Sequence, residues 1–310
     1  MAEQTLETFD VAPAETGRRL DVFLAERLRL SRTGARRLLA HGAVRVGGRP
    51  VAEGDKGLAL RAGERIEVSD ARPVAAEEVS AEPDAPLHVL AQGPGWLVAD
   101  KPSGVPVHPL EPGERGTLLG AVAARHPEIQ GVGEGALRSG VVHRLDVDTS
   151  GALLLATAEP AWRRLRGAFR EHRVAKTYRA IALGSVASGG DVELPLVVAR
   201  HRPAFVRAAN PGEQEDARNT VTSWRVLERL RGATLLEVRT ITGFLHQVRA
   251  TFAHLGHPLA GDRNYAPAGD STGATRHMLH AAELCFEEIR AQSPDPGDFC
   301  DALARLRGAP

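Results

Sequence analysis

Residues 140–156, GVVHRLDVDTSGALLLA, set two apolar, strand-like runs around a polar turn that carries His143, Arg144, Asp146, Asp148, Thr149 and Ser150. Asp146 and Asp148 are two apart, so on an extended chain they face opposite ways and form a poor acid–base couple. A carboxylate held near a fixed cation stays ionised at neutral pH. Such an aspartate suits nucleophilic attack, or stabilisation of positive charge, at the anomeric carbon of a sugar. A salt-bridged Arg–Asp turn fits the same residues equally well. A metal site fits them poorly, because no Cys or second His follows closely, and His246, His254, His257, His277 and His280 match no standard ligand spacing.

Working outward, 310 residues favour two domains over one. The apolar fraction of 43% is enough for a real core. No run of 18 apolar residues occurs, and MAEQTLETFD at the N-terminus is acidic, so neither secretion nor a membrane partner is expected. Two cysteines, Cys285 and Cys300, suit a reducing cytoplasm better than a disulfide framework. Net charge is zero, but it is unevenly spread. Between Arg18 and Glu67 there are twelve Arg or Lys against six Asp or Glu, a surplus of six positive charges. A basic module on a neutral body is what gripping a phosphate backbone requires.

Residues 1–16 read as a loose acidic tail and 17–70 as a compact unit. RRLDVFLAERL puts Leu20, Phe23, Leu24 and Leu28 on one helical face. SRTGARRLLAHG follows, with Ser31 as N-cap and Gly42 as the stop. In this second helix Arg32, Arg36 and Arg37 share a solvent face, while Leu38 and Leu39 turn inward. AVRVGGRPV reads as a hairpin about Gly47–Gly48, and LRAGERIEV as one more strand. Residues 71–86, rich in Pro, Ala and Glu without an apolar period, read as a linker. From 87 to 310 strands follow one another both directly and across helices, which predicts an α+β domain on a mixed, largely antiparallel sheet.

Two resemblances add to this reading. RLDVFLAE, SRTGARRLLAHGAVRVGGRPV and AGERIEV, across Arg19–Val68, resemble the small RNA-binding domain named after ribosomal protein S4. That likeness implies that the second helix and the hairpin hold structured RNA by its backbone, with Arg32, Arg36 and Arg37 as contacts. GVVHRLDVDTSGALLLA resembles the signature of the RluA/RluD-type RNA pseudouridine synthases. Three further stretches agree in order and spacing: WLVADKPSGVPVHP, VAKTYRAIALG and TGFLHQVRATFAHLGHPLAGDRNY.

What the second resemblance implies is specific. Asp146 corresponds to the catalytic aspartate, Tyr178 to a tyrosine that stacks on the uracil and assists proton removal, and Arg249 to the cation that pairs with the aspartate. Arg144 corresponds to the arginine that enters the RNA where the target base leaves, and His143 and Lys176 are further candidate substrate contacts. The expected fold has a central cleft with Asp146 at its floor, and the chemistry calls for no cofactor and no metal. The expected partner is structured RNA, with large-subunit (23S) ribosomal RNA favoured. The expected protein is a cytoplasmic monomer. Transfer RNA as substrate, and an RNA-binding assembly factor that has lost turnover, stay open as alternatives. The chain departs from the family pattern at Phe244 and Leu245, where Arg-Thr is usual, at Trp224 in place of Tyr, and after Phe286, where a His-Pro is missing.

Overall fold

A computed structural model describes residues 6–28, 32–69, 78–201, 203–266, 270 and 272–308. Two compact units divide the chain. One comprises the residues up to Val79 together with Glu134–Ser139, the other Ser80–Gly133 and the residues from Gly140 onward.

The first unit contains β1 (Leu6–Asp10), α1 (Leu20–Arg27), α2 (Arg32–Ala40), β2 (Val44–Val46), β3 (Arg49–Val51) and β4 (Arg65–Ser69), its sheet ordered β1-β4-β2-β3. Leu20, Phe23 and Leu24 from α1 and Ala35, Leu38 and Leu39 from α2 are buried against Val44, Ile66 and Val68 of the sheet. The β2–β3 turn uses Gly47 and Gly48 at φ +56° and +77°. Two consecutive left-handed residues make the tight turn whose twist matches the strands it joins, and only glycine adopts it freely.

The acidic tail requires correction. Leu6–Asp10 is an edge strand antiparallel to β4. Phe9 packs on the core with its ring 6.3 Å from that of Phe23, and Val11 is buried. A short alternating segment with one aromatic anchor suffices for a strand when a free sheet edge offers backbone partners. The expected cap Ser31 lies outside the described residues. Arg36 also departs from its expected solvent role. Its Nε and Nη2 donate to Asp21 at 3.2 and 3.0 Å, and Arg19 donates to the same carboxylate at 3.0 and 3.2 Å. Asp21 is fully buried at the start of α1. A buried carboxylate requires hydrogen-bonded partners, and the two arginines satisfy it. The side chains of Arg32 and Arg37 lie outside the described residues.

The second unit is built on β5 (Val89–Gly93), β6 (Trp96–Lys101), α3 (Leu118–Arg125), β7 (Ser150–Ala156), α4 (Glu159–Arg170), β8 (Ala175–Leu183), β9 (Gly189–His201), β10 (Ala204–Ala208), β11 (Arg218–Leu230), β12 (Ala233–Thr240), α5 (Gln247–His254), β13 (Leu279–Phe286), β14 (Ile289–Gln292) and α6 (Gly297–Arg307). The sheet order is β10-β9-β11-β12-β8-β13-β7-β6-β5, with β14 beside β13. Every pairing is antiparallel except β7 with β13. The fold is the α+β arrangement that the strand and helix pattern predicts.

All seven residues of β7 are buried, the continuous apolar run expected of a central strand covered on both faces. Gly151 is essential to this packing, since a Cβ there would lie 2.2 Å from the Ala281 carbonyl oxygen on β13. Residues 71–77 of the expected linker lie outside the described residues. The remainder is not a free spacer. The Glu82 carboxylate accepts the Gly116 N–H at 2.9 Å, and the Glu82 N–H donates to Gly120 O at 3.0 Å. An acidic side chain at the start of α3 meets the unpaired N–H groups and positive end of a helix.

Replacing Asp21 with Ala is expected to cost about 1.5–3 kcal/mol through lost charge-assisted bonds, moderated by the part exposure of both arginines. Arg19 and then Arg36 hold the Asp21 carboxyl below its ordinary range. Its contribution is therefore present at neutral pH and lost as pH falls through the depressed value. Denaturant melts of the first unit's signal at pH 7 and pH 3 check both points.

Candidate active site

Three elements converge on Asp146: its own loop at the start of β7, the β8 strand with Lys176 and Tyr178, and α5 with the turn that follows it. The loop is fixed chiefly through its backbone. Lys101, fully buried at the end of β6, donates to the carbonyls of Pro102 (2.8 Å), Val105 (2.7 Å) and Val147 (2.7 Å). An ammonium has three protons, and all three find acceptors here. Burial pushes this ammonium down to about 7, against the opposing charges of Asp148 and Asp146. Arg276 donates to Asp148 O at 2.9 Å, and Thr149 Oγ1 lies 2.8 Å from His277 Nε2. With its backbone so held, the loop turns Asp146 inward and leaves Asp148 exposed, the opposite facing expected for residues two apart.

Arg249 provides the counter-charge. Its guanidinium donates from Nη1 to Asp146 Oδ2 at 3.0 Å and, as a fork, from Nε and Nη2 to Asp262 at 2.7 and 2.8 Å. Side-chain exposure is 6% for Arg249, 19% for Asp146 and 0% for Asp262. Two carboxylates and one guanidinium leave a net negative charge, with Asp146 the member open to solvent. Burial by itself raises the Asp146 carboxyl. The proximity of His246 and Arg249 outweighs this and holds it below the ordinary carboxylate range. Asp146 is thus an ionised carboxylate on a rigid mount, which can attack or stabilise an electron-poor carbon.

Tyr178 lies on β8 opposite Val238 and packs on the core cluster of Ala180, Leu236, Val248 and Phe252. Burial, and then the Asp146 charge, push its phenol to about 12. At neutral pH it is an uncharged aromatic surface beside a carboxylate. Lys176, on the same strand, is buried and donates to Thr242 O at 2.8 Å, so it anchors the segment that enters α5. Burial lowers its ammonium to about 8.

His143 is positioned as part of the fold. Its Nε2 accepts the Leu154 N–H at 2.9 Å and its ring stacks on Phe169 at 4.4 Å. Burial lowers it to about 3, so it is neutral and its Nε2 is occupied. Arg144 is exposed and makes no hydrogen bond or ion pair among the described residues. Arg36 belongs to the first unit and is bound to Asp21.

Sequence reasoning missed Asp262, Lys101 and Arg276 as structural members of the site. The Gly-Asp pair after the Gly-His-Pro turn was a signal for Asp262. Nothing local marks Lys101, because the three carbonyls that surround it come together only in the fold. The departures also find their places. Phe244 and Leu245 pack with Leu194, Leu196, Val206 and Ala250, and Trp224 meets Phe252 edge-on at 5.5 Å. No three His, Cys, Asp or Glu side chains among the described residues form a group able to hold a metal ion.

This arrangement, an ionised aspartate held by a buried arginine beside a neutral aromatic surface, is one that comparison places in a known family. Residues 95–254 match the RNA pseudouridylate synthase family, and residues 18–56 match the S4 domain. An RNA pseudouridine synthase of Synechocystis is 34% identical over 98% of this chain and 94% of its own length. The ribosomal large subunit pseudouridine synthase D of Xanthomonas campestris is 34% identical over 99% of this chain and 96% of its own. Among solved structures, human RNA pseudouridylate synthase domain containing 1 superposes with a TM-score of 0.58 at 26% identity, covering 69% of this chain and 86% of that one. The chain belongs to the RNA pseudouridine synthase family, of the RluA/RluD type with an N-terminal S4 domain. It is an enzyme that isomerises uridine in RNA, and RNA is its partner.

Arg249→Met is expected to destabilise the second unit by about 3–5 kcal/mol, since it leaves two carboxylates unpaired, one of them fully buried. The same change should raise the Asp146 carboxyl, so the acid limb of the pH–rate profile moves to higher pH. Denaturant melts and turnover measured from pH 4 to pH 8 check the two effects separately.

Proposed function

We propose that the substrate is large-subunit (23S) ribosomal RNA and that Asp146 is the residue at which the isomerisation is carried out. The reaction separates uracil N1 from the ribose, turns the base and rejoins it through C5. It needs a carboxylate next to the anomeric carbon and a surface to retain the detached base. The observation that carries the assignment is the buried Arg249 between Asp146 and Asp262, which keeps one carboxylate ionised with an open side. In this reading Tyr178 is the platform for the uracil, and Arg144 enters the RNA where the target nucleotide is turned out of its stack. Lys176 and His143, the further candidate contacts, also hold the site's framework.

Support for ribosomal RNA comes from relatives named ribosomal large subunit pseudouridine synthase D that align with nearly the whole chain. The basic surplus of the S4 domain supports docking on a phosphate backbone through its hairpin, where Arg45 and Arg49 are exposed. The domain limits that go with this reading are 17–70 for docking, to which the edge strand Leu6–Asp10 is added, and 87–310 for catalysis. The location and state that go with this reading are the cytoplasm, where ribosomal RNA is found, and a monomer. Among the described residues no helix is long and apolar enough to cross a membrane.

Pseudouridine mapping of ribosomal RNA from a deletion strain, restored with wild type or with Asp146→Asn, tests the assignment. Sites in 23S RNA should vanish on deletion and return only with wild type. Unchanged 23S sites with altered transfer RNA would overturn the substrate, and full restoration by Asp146→Asn would remove Asp146 from its role. Removal of residues 1–70 should weaken RNA binding and flatten its dependence on salt. Filter binding at several salt concentrations reads that slope.

A further inference from the structure

His246 stands at the head of α5 in the left-handed conformation, φ +52° and ψ +19°, and its side chain makes no capping bond to the helix. That conformation strains any residue with a Cβ, and where only a turn is needed Gly or Asn adopts it more easily. The imidazole is 9% exposed and points into the Asp146 cluster, with Nε2 3.9 Å from Asp146 Oδ2. This separation is too long for a hydrogen bond. Asp146 and Asp262 face the ring with negative charge, Arg249 and Arg144 with positive charge, and burial keeps it neutral at pH 7.

Tyr265 is the neighbour that bears on its tautomer. His246 Nδ1 lies 3.0 Å from Tyr265 Oη, and that hydroxyl already accepts the Val206 N–H at 2.9 Å. With one acceptor position of the hydroxyl taken, its proton is free to go to His246 Nδ1, and in that tautomer the ring proton sits on Nε2. Tyr265 is itself fixed, stacked on Phe205 at 4.9 Å with the Arg249 guanidinium 5.2 Å from its ring centre. The result is a preorganised N–H donor beside the reactive carboxylate, with no protein acceptor within hydrogen-bond distance among the described residues.

Taking Asp146 as the reaction centre, we propose that His246 is a catalytic residue that donates its Nε2–H to uracil O2 as the bond from N1 to the ribose breaks. The bonding pair leaves with the base and spreads over N1, C2 and O2. O2 is the base oxygen nearest the anomeric carbon, and so nearest a donor beside the carboxylate. When C5 bonds to the anomeric carbon the charge is discharged, the C5 proton is lost to solvent and N1 takes one up. His246 keeps its proton throughout. A donor aimed where charge develops favours the transition state over the bound substrate.

The test is single-turnover kinetics on an in vitro transcript of large-subunit ribosomal RNA carrying tritium at uracil C5. Tritium release reads turnover, and filter binding reads Kd. His246→Phe should slow turnover by roughly 100-fold, the effect of losing one such donor, with Kd within about threefold of wild type. His246→Gln, which restores an N–H, should recover about tenfold of that loss. Tyr265→Phe, which keeps the ring packing but frees the tautomer, should slow turnover by about 3- to 10-fold. Turnover of His246→Phe within threefold of wild type, a His246→Gln as slow as His246→Phe, or a loss confined to Kd would each overturn the assignment. An inactive Asp146→Asn beside an unimpaired His246→Phe would overturn it alone. An active Asp146→Asn would remove the reaction centre on which it rests.

Discussion

The second unit depends on a guanidinium held between two carboxylates. Arg249 sits at the base of the site with its fork on Asp262 and its remaining nitrogen on Asp146. A lone buried charge is too costly to keep, and a single neutral pair would leave nothing for chemistry. Three charges settle both requirements. Asp262 neutralises the arginine where the site is driest, and Asp146 remains ionised where the site opens. Such a triad orients its members more than it stabilises the fold.

Around that triad the chain is held by hydrogen bonds from Lys101 and Arg276 to the backbone. Lys101 gathers three carbonyls, one of them in the Asp146 loop, and Arg276 takes a second carbonyl of the same loop. Cations that bond to carbonyls fix the path of a loop without competing for its carboxylate. Asp146 is thereby reserved for Arg249 and for substrate. The parallel contact of β7 with β13, permitted by Gly151, places the His277 region against the same loop.

Much of this was legible in the sequence for physical reasons. Periodicity marked α1 and α2, and the Gly47–Gly48 pair marked a hairpin that only glycines turn. The unbroken apolar run of β7 marked a central strand. Asp146 and Asp148, two apart, had to face opposite ways. The resemblance in four ordered stretches placed Asp146, Tyr178 and Arg249 in one site, and the fold brings those side chains together. The tail at residues 6–10 was not legible, because its strand exists only by virtue of the open edge of β4.

What the sequence determined by itself is local or periodic: helix faces, turns, the mixed sheet, and a polar loop flanked by strands. Tertiary structure alone decided which charges are spent inside the protein and which stay exposed. Arg36 shares a helix face with residues suited to phosphate, yet a buried carboxylate fifteen residues earlier binds it. Lys176 looks like an RNA contact, yet it is buried and donates to the Thr242 carbonyl. His246 matches no ligand spacing in the sequence, yet its ring turns toward Asp146. Charge pairing acts through space over a few ångströms, between residues 103 positions apart in the case of Arg249 and Asp146. Only the folded chain sets those distances.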